Sequence, residues 1–200
     1  VPGDAQRHVH WKSTAKTGTL MVRQYEQTRR SRMVIAIDTD RDSYRDEDEF
    51  ELAVSVAASL GVRGVRDGRD VQVVVGEEIP EFARTRVRSI RELPTITERI
   101  LMDALAGVTS HDAVNPLAEV SALAVEAHSD VSLAFLVGGS TMTAAGLQRA
   151  ALAFPSHVGV AAVICDLEGE PRLRRLGDAT VISIGVLDDL RQILLRGAQS

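Results

Sequence analysis

Between residues 33 and 184 the chain alternates short apolar runs with segments whose apolar positions recur every three or four residues. The runs at 33–37 (Met-Val-Ile-Ala-Ile), 71–75, 131–137, 158–165 and 180–184 carry little polar alternation. Runs of that kind are strands covered on both faces. A helix is expected from Asp46, where acids crowd the first turn as the macrodipole favours, and Phe50, Ala53, Val54, Ala57 and Leu60 follow at helical spacing. Gly61 or Gly64 is placed to end it. Further helices are expected over 97–106, from the Asn115-Pro116 start signal to about His128, over 141–153, and from Leu187 to about Leu195. Residues 83–90 alternate strictly and predict a strand in a hairpin with 71–75, whereas 168–177 reads as a polar loop. The whole predicts an α/β fold: a doubly wound, mostly parallel sheet with helices on both faces. Residues 33–200 form this body, and 1–32 a short extension packed on it.

Composition sharpens the picture. Hydrophobic residues make up 44% but aromatics only 4%, so aliphatic side chains fill the core. Residues 1–32 hold seven basic groups against Asp4 and Glu26, a net of +5, so the remaining 168 residues carry −10 of the overall −5. A basic segment on an acidic body suggests that it lies against that body or against an acidic partner, and the overall −5 gives no reason to expect nucleic acid as the partner. The single cysteine, Cys165, precludes an internal disulfide and fits a reducing compartment. No run approaches the roughly 18 apolar residues that span a bilayer, so this stretch is not expected to insert directly into a membrane. The opening at Val1 reads as the cut end of a longer protein.

A doubly wound sheet places ligands at the carboxyl ends of its strands, where strand order reverses. After the first strand comes Asp38-Thr-Asp-Arg-Asp-Ser43, three carboxylates at alternating positions. They repel unless a divalent cation such as Mg²⁺ or neighbouring arginines neutralise them; the bland reading has them capping a helix and pairing with Arg41 and Arg45. Gly138-Gly-Ser-Thr141 lies between a strand and a helix, where backbone amides can cradle an anion, but it lacks the lysine of a phosphate loop. Ser140 and Thr141 are therefore partner-binding candidates rather than catalytic ones. Arg84, Arg86 and Arg88 share one face of the predicted strand, either as a charged edge or as a docking stripe for an acidic surface. A nucleic-acid role for that stripe is the weaker alternative, because no aromatics interleave.

An apolar strand ending in Asp38, with Asp40 and Asp42 where two hydroxyls are usual, resembles the metal-dependent adhesion site of von Willebrand factor A domains. Thr97 (or Thr95) stands for that site's threonine, and the Gly138–Thr141 loop lacks its second aspartate, so the resemblance implies a degenerate site that holds Mg²⁺ weakly at most. Pro2-Gly3-Asp4, Arg7, His10-Trp11, Ser13, Ala15 and Gly18, followed by Leu20-Met-Val-Arg23, is similar to the signature of domain-of-unknown-function family 58. That resemblance implies a von Willebrand factor A-like body on the cytoplasmic side of a membrane-anchored bacterial protein, working with a MoxR-type AAA+ ATPase, and no established enzymatic activity. The expectation is a non-enzymatic protein–protein interaction domain, an adaptor for such an ATPase or for an envelope complex, with no resident cofactor. Its rival is a metal-dependent hydrolase or phosphoryl-transfer enzyme using Asp38, Asp40 and Asp42. Trp11, the one tryptophan, is expected to anchor the N-terminal segment in a groove of the body.

Overall fold

In the computed structural model, which describes residues 32–80, 88–128 and 130–197, the alternation of apolar runs and helical segments becomes a single seven-stranded sheet in the order β3-β2-β1-β4-β5-β7-β6. The strands are β1 (Arg32–Ile37), β2 (Asp70–Gly76), β3 (Ile90–Leu93), β4 (Val131–Gly139), β5 (Gly159–Cys165), β6 (Arg172–Leu176) and β7 (Ala179–Ile184). The helices are α1 (Glu47–Arg66), α2 (Glu98–Leu105), α3 (Leu117–Ala127), α4 (Ala144–Leu152) and α5 (Leu187–Gly197). β1, β2, β4, β5 and β7 run parallel, and the two outer strands β3 and β6 are antiparallel to their neighbours.

The uninterrupted apolar runs have the meaning expected of them. In β1, Met33, Ile35 and Ile37 enter one core with Phe50, Ala53 and Ala57 of α1 and Leu101 of α2, while Val34 and Ala36 enter a second with Val120 and Ala124 of α3 and Leu147 of α4. Side chains alternate across a strand, so a strand covered by helices on both faces must be apolar at every position. All five residues of 33–37 are under 5% exposed, which fixes β1 in the interior of the sheet. Arg32, counted above with the extension, begins this strand and pairs with Asp70 at 2.6 Å and Asp130 at 3.5 Å.

Several boundaries differ from the sequence reading. α1 does not stop at Gly61 or Gly64 but runs through both to Arg66. These glycines let the helix lie close against its neighbours: a Cβ at Gly61 would come within 2.7 Å of Leu101, and one at Gly64 within 2.6 Å of Val71. The third strand is Ile90–Leu93, overlapping the expected 83–90 only at its last residue; residues 81–87, with Arg84 and Arg86, lie outside the described residues. The stretch expected as a polar loop, 168–177, contains β6, whose pattern of three arginines and two leucines disguised it. β4 continues two residues further, through Gly138 and Gly139, so α4 starts at Ala144 with Thr143 as its cap. Asn115 does not cap α3: Pro116 takes that position, and the Asn115 amide donates to the Ser89 carbonyl at 3.0 Å. The family signature, including Pro2, Gly3, Asp4, Arg7, His10 and Trp11, and with it the expected docking of Trp11, lies outside the described residues.

Candidate functional site

The chain leaves β1 and β4, which lie side by side, in opposite directions along the sheet, β1 towards β2 and β4 towards β5. The carboxyl ends of two such strands diverge into a crevice, and a cleft of about 370 Å³ lies there. Asp38, Asp40, Asp42 and Ser43 line one side; Thr141, Met142, Thr143 and Arg149 line the other, with Glu119 of α3 at the margin. The acidic loop and the Gly-Gly-Ser-Thr loop, read separately in the sequence, thus form the two walls of one site.

Asp38 is only 4% exposed. Its Oδ1 accepts the Asp40 amide at 3.0 Å and its Oδ2 accepts the Ser43 hydroxyl at 2.8 Å. The Tyr44 hydroxyl donates to the Asp38 carbonyl at 2.6 Å, and its ring packs edge-on against Phe50 with centroids 5.1 Å apart. Burial pushes the Asp38 carboxyl up from its ordinary 3.8 to about 6; the two hydrogen bonds pull the other way, and the nearby Asp40 charge adds to the rise. Burial also lifts the Tyr44 phenol well above its usual range. Asp40 caps the single 3₁₀ turn Arg41–Ser43 by accepting the Asp42 amide at 3.1 Å. The bland reading is met in neither half: Asp40 caps this turn only, the cap of α1 is Asp46, and the two arginines pair elsewhere. Arg41 reaches Asp112 at 3.1 Å, and Arg45 reaches Glu168 at 2.8 Å and Asp166 at 3.5 Å. Asp40 and Asp42 line the cleft and make no ion pair among the described residues.

A third segment braces this wall. His111 donates its amide to the Thr39 carbonyl at 2.9 Å and accepts the Arg41 amide at 3.0 Å. The opposite wall is held by a residue that sequence reasoning overlooked. Glu49, in the first turn of α1, is fully buried; its carboxyl accepts the Ser140 hydroxyl at 2.8 and 2.9 Å, the Ser140 amide at 3.2 Å and the Arg45 amide at 3.0 Å. Ser140 is accordingly turned inward to α1 rather than presented to a partner, while Thr141 donates to the Asp42 carbonyl and ties the two walls together. The second overlooked residue is Ser43. The pattern put Asp42 in the second hydroxyl place, but it is the hydroxyl one position further on that reaches Asp38.

Thr97 does not join the site. It caps α2, and its neighbour Glu98 pairs with Arg66 at the far end of α1. Thr95 donates to the carbonyl of Val71, the second residue of β2, at 2.7 Å. Both threonines therefore sit at the amino end of the parallel strands, the opposite end of the sheet from Asp38. Arg88 pairs with Glu119 at 2.7 Å, so its guanidinium is engaged at the margin of the cleft.

Among the described residues no three His, Cys, Asp or Glu side chains converge on one point. Nor can the β4 loop take an aspartate at position 139, because a Cβ on Gly139 would lie 2.8 Å from the Tyr44 Cα and closer still to the Ser43 carbonyl oxygen. Cys165, beneath the site, is buried, and that burial together with the Glu49 charge raises its thiol to about 12.

A family model described as "Protein of unknown function DUF58" matches residues 1–182. No curated protein matches the chain. Among solved structures, it is similar to the von Willebrand factor type A from Catenulispora acidiphila at 16% identity, with a TM-score of 0.46, over 82% of this chain and 41% of that one. This chain thus spans less than half the length of that protein.

Proposed function

We propose, from the premise that the chain belongs to the DUF58 family, that its α/β body is a non-enzymatic domain that binds a protein partner over the cleft between β1 and β4. The observation that carries this reading is the division of labour among the site's polar groups. Asp38, Ser43, Glu49 and Ser140 are used up in hydrogen bonds that fix the two walls, whereas Asp40, which caps its own turn, and Asp42 line the cleft with Arg149 and make no ion pair among the described residues. A preorganised surface with a few unspent charges suits recognition of a partner, because little ordering is left to be done on binding. Arg149 and the two aspartates then select a partner face that carries both signs of charge. A MoxR-type AAA+ ATPase is the proposed partner class, with this domain as its adaptor on the cytoplasmic side of a membrane-anchored bacterial protein; an envelope-associated complex is the other setting. No resident cofactor is proposed, and Mg²⁺ is proposed to bind weakly at most, because Asp38, Asp40 and Asp42 share the cleft without converging on one point.

The test is binding of the whole chain to a purified MoxR-type AAA+ ATPase, by interferometry with and without nucleotide. Asp40→Lys with Asp42→Lys is expected to weaken the complex at least roughly tenfold, as loss of a complementary charge pair does. Unchanged affinity in that variant overturns the cleft, and failure to bind in any nucleotide state overturns the ATPase as partner. Calorimetry that found tight, stoichiometric Mg²⁺ binding, lost in Asp38→Ala, would overturn the weak-metal reading.

A further inference from the structure

β6 is the last strand of the sheet, and its outer edge pairs with nothing among the described residues. It follows from Pro171 as Arg172-Leu-Arg-Arg-Leu176, and its first four residues are exposed. Arg172, Arg174 and Arg175 make no ion pair among the described residues, although the body they belong to is strongly acidic. Leu173, in their midst, is 60% exposed.

The turn decides which backbone groups face outward. β6 and β7 are joined by the two residues Gly177 and Asp178, with Gly177 at φ +59, where a tight hairpin wants glycine. The residues flanking such a turn, Leu176 and Ala179, form the close hydrogen-bonded pair, and pairing then alternates along the ladder. Given the register Arg174↔Val181 and Arg172↔Ser183, those pairs bond inward to β7. Leu173 and Arg175 therefore turn their N–H and C=O groups away from the sheet.

We infer that this edge accepts an acidic, extended polypeptide segment as an eighth strand. The outward amides and carbonyls of Leu173 and Arg175 supply main-chain hydrogen bonds, Leu173 supplies an apolar contact, and the three arginines choose acidic side chains. A second copy of this strand does not fit, because antiparallel self-pairing sets arginines against arginines. Nucleic acid fits poorly too: it cannot complete a backbone ladder, and residues 172–176 offer no aromatic ring for stacking. This surface lies at the sheet edge rather than in the β1/β4 cleft, so the inference stands or falls apart from the partner proposed above.

The experiment is fluorescence anisotropy of the full 200-residue chain with a labelled synthetic peptide of alternating glutamate and valine. Two control probes accompany it: the same peptide N-methylated at alternate residues, and a single-stranded oligonucleotide. The peptide is expected to bind, to lose roughly tenfold in affinity when all three arginines become glutamine, and to fail when N-methylated. Leu173→Pro removes one outward N–H while leaving the bonds to β7 intact, since proline is tolerated on an edge, and it is expected to abolish binding in a chain whose circular dichroism is unchanged. Equal binding of the N-methylated peptide, or full affinity in Leu173→Pro, would show charge attraction without strand addition and overturn the inference. Tighter binding of the oligonucleotide, or no peptide binding at all, overturns it as well.

Discussion

The loops that leave β1 and β4 face one another across the cleft and keep their shapes by different means. The β1 loop is held from within: Asp38 receives Asp40 and Ser43, Asp40 caps its own turn, and Tyr44 reaches back to the Asp38 carbonyl. The β4 loop has no carboxylate and is held from behind by Glu49, which belongs to the helix that follows the other loop. The difference teaches that acids alike in sequence have unlike roles. Glu47, Asp48 and Glu49 all sit in the first turn of α1, where each complements the helix dipole, yet only Glu49 is buried, and it carries the structural bond between the two walls.

The sharpest way to break this comparison is to remove Glu49. Glu49→Ala strands the half-buried Ser140 hydroxyl and amide and the Arg45 amide and leaves a cavity where a fully buried side chain stood, so unfolding stability should fall by about 4 kcal/mol. Urea denaturation measures it, and a double-mutant cycle with Ser140→Ala should show strong coupling between the two sites. A loss below about 1 kcal/mol, or additive behaviour, would mean that the β4 loop keeps its shape without α1.

Gly139 tests the same contact from the other side. A methyl group there meets the Tyr44 Cα at 2.8 Å and the Ser43 carbonyl oxygen, both of them backbone atoms with little room to retreat. Gly139→Ala should therefore cost about 3 kcal/mol, near the upper end for overpacking. Gly107 lies in ordinary contact only, 3.6 Å from the Ala104 carbonyl oxygen, so Gly107→Ala is the control that should change stability little. Equal effects at the two positions would refute the close approach of the walls.

How far the sequence foretold all this depends on what each segment had to satisfy. The strands buried on both faces were legible because burial on two faces forbids polar alternation, and 33–37 is apolar throughout. β6 was not legible: it lies at the sheet's end and four of its five residues are exposed, so nothing forces an apolar pattern on Arg172–Leu176. α1 was read correctly at its acidic start and incorrectly at its end, because glycine signals a stop only when the chain needs a left-handed turn. At Gly61 and Gly64 it serves close packing instead, which depends on Leu101 and Val71, residues outside the helix. The site was legible where its residues are contiguous, at Asp38, Asp40 and Asp42. It was opaque where it depends on a pairing across the fold, at Glu49, and on a shift of one position, at Ser43. Thr97 failed because spacing along a chain does not reveal at which end of the sheet a helix begins.

The gentlest test concerns the held wall alone and separates Asp38 from every other acid by pH. Asp38 is raised from 3.8 to about 6 in the folded chain, mainly by burial, so the folded state binds this proton more tightly than the unfolded state does. Its favourable contribution is complete below about pH 4 and is lost as pH rises through about 6; above that, the buried charge is a standing cost. Asp38→Asn keeps an acceptor for the Asp40 amide and removes the charge. At pH 8 the variant should be more stable than the parent by on the order of 2 kcal/mol, the two-unit shift reduced by the weakened bond to Ser43. At pH 4 the difference should be close to zero, because both chains then carry a neutral group at this position. Urea denaturation of the two proteins in chelator at both pH values isolates the effect, since the remaining titrating groups cancel in the difference. A stability gap independent of pH would mean that Asp38 titrates alike in the folded and unfolded chains, and that its hydrogen bonds to Asp40 and Ser43 fully offset its burial.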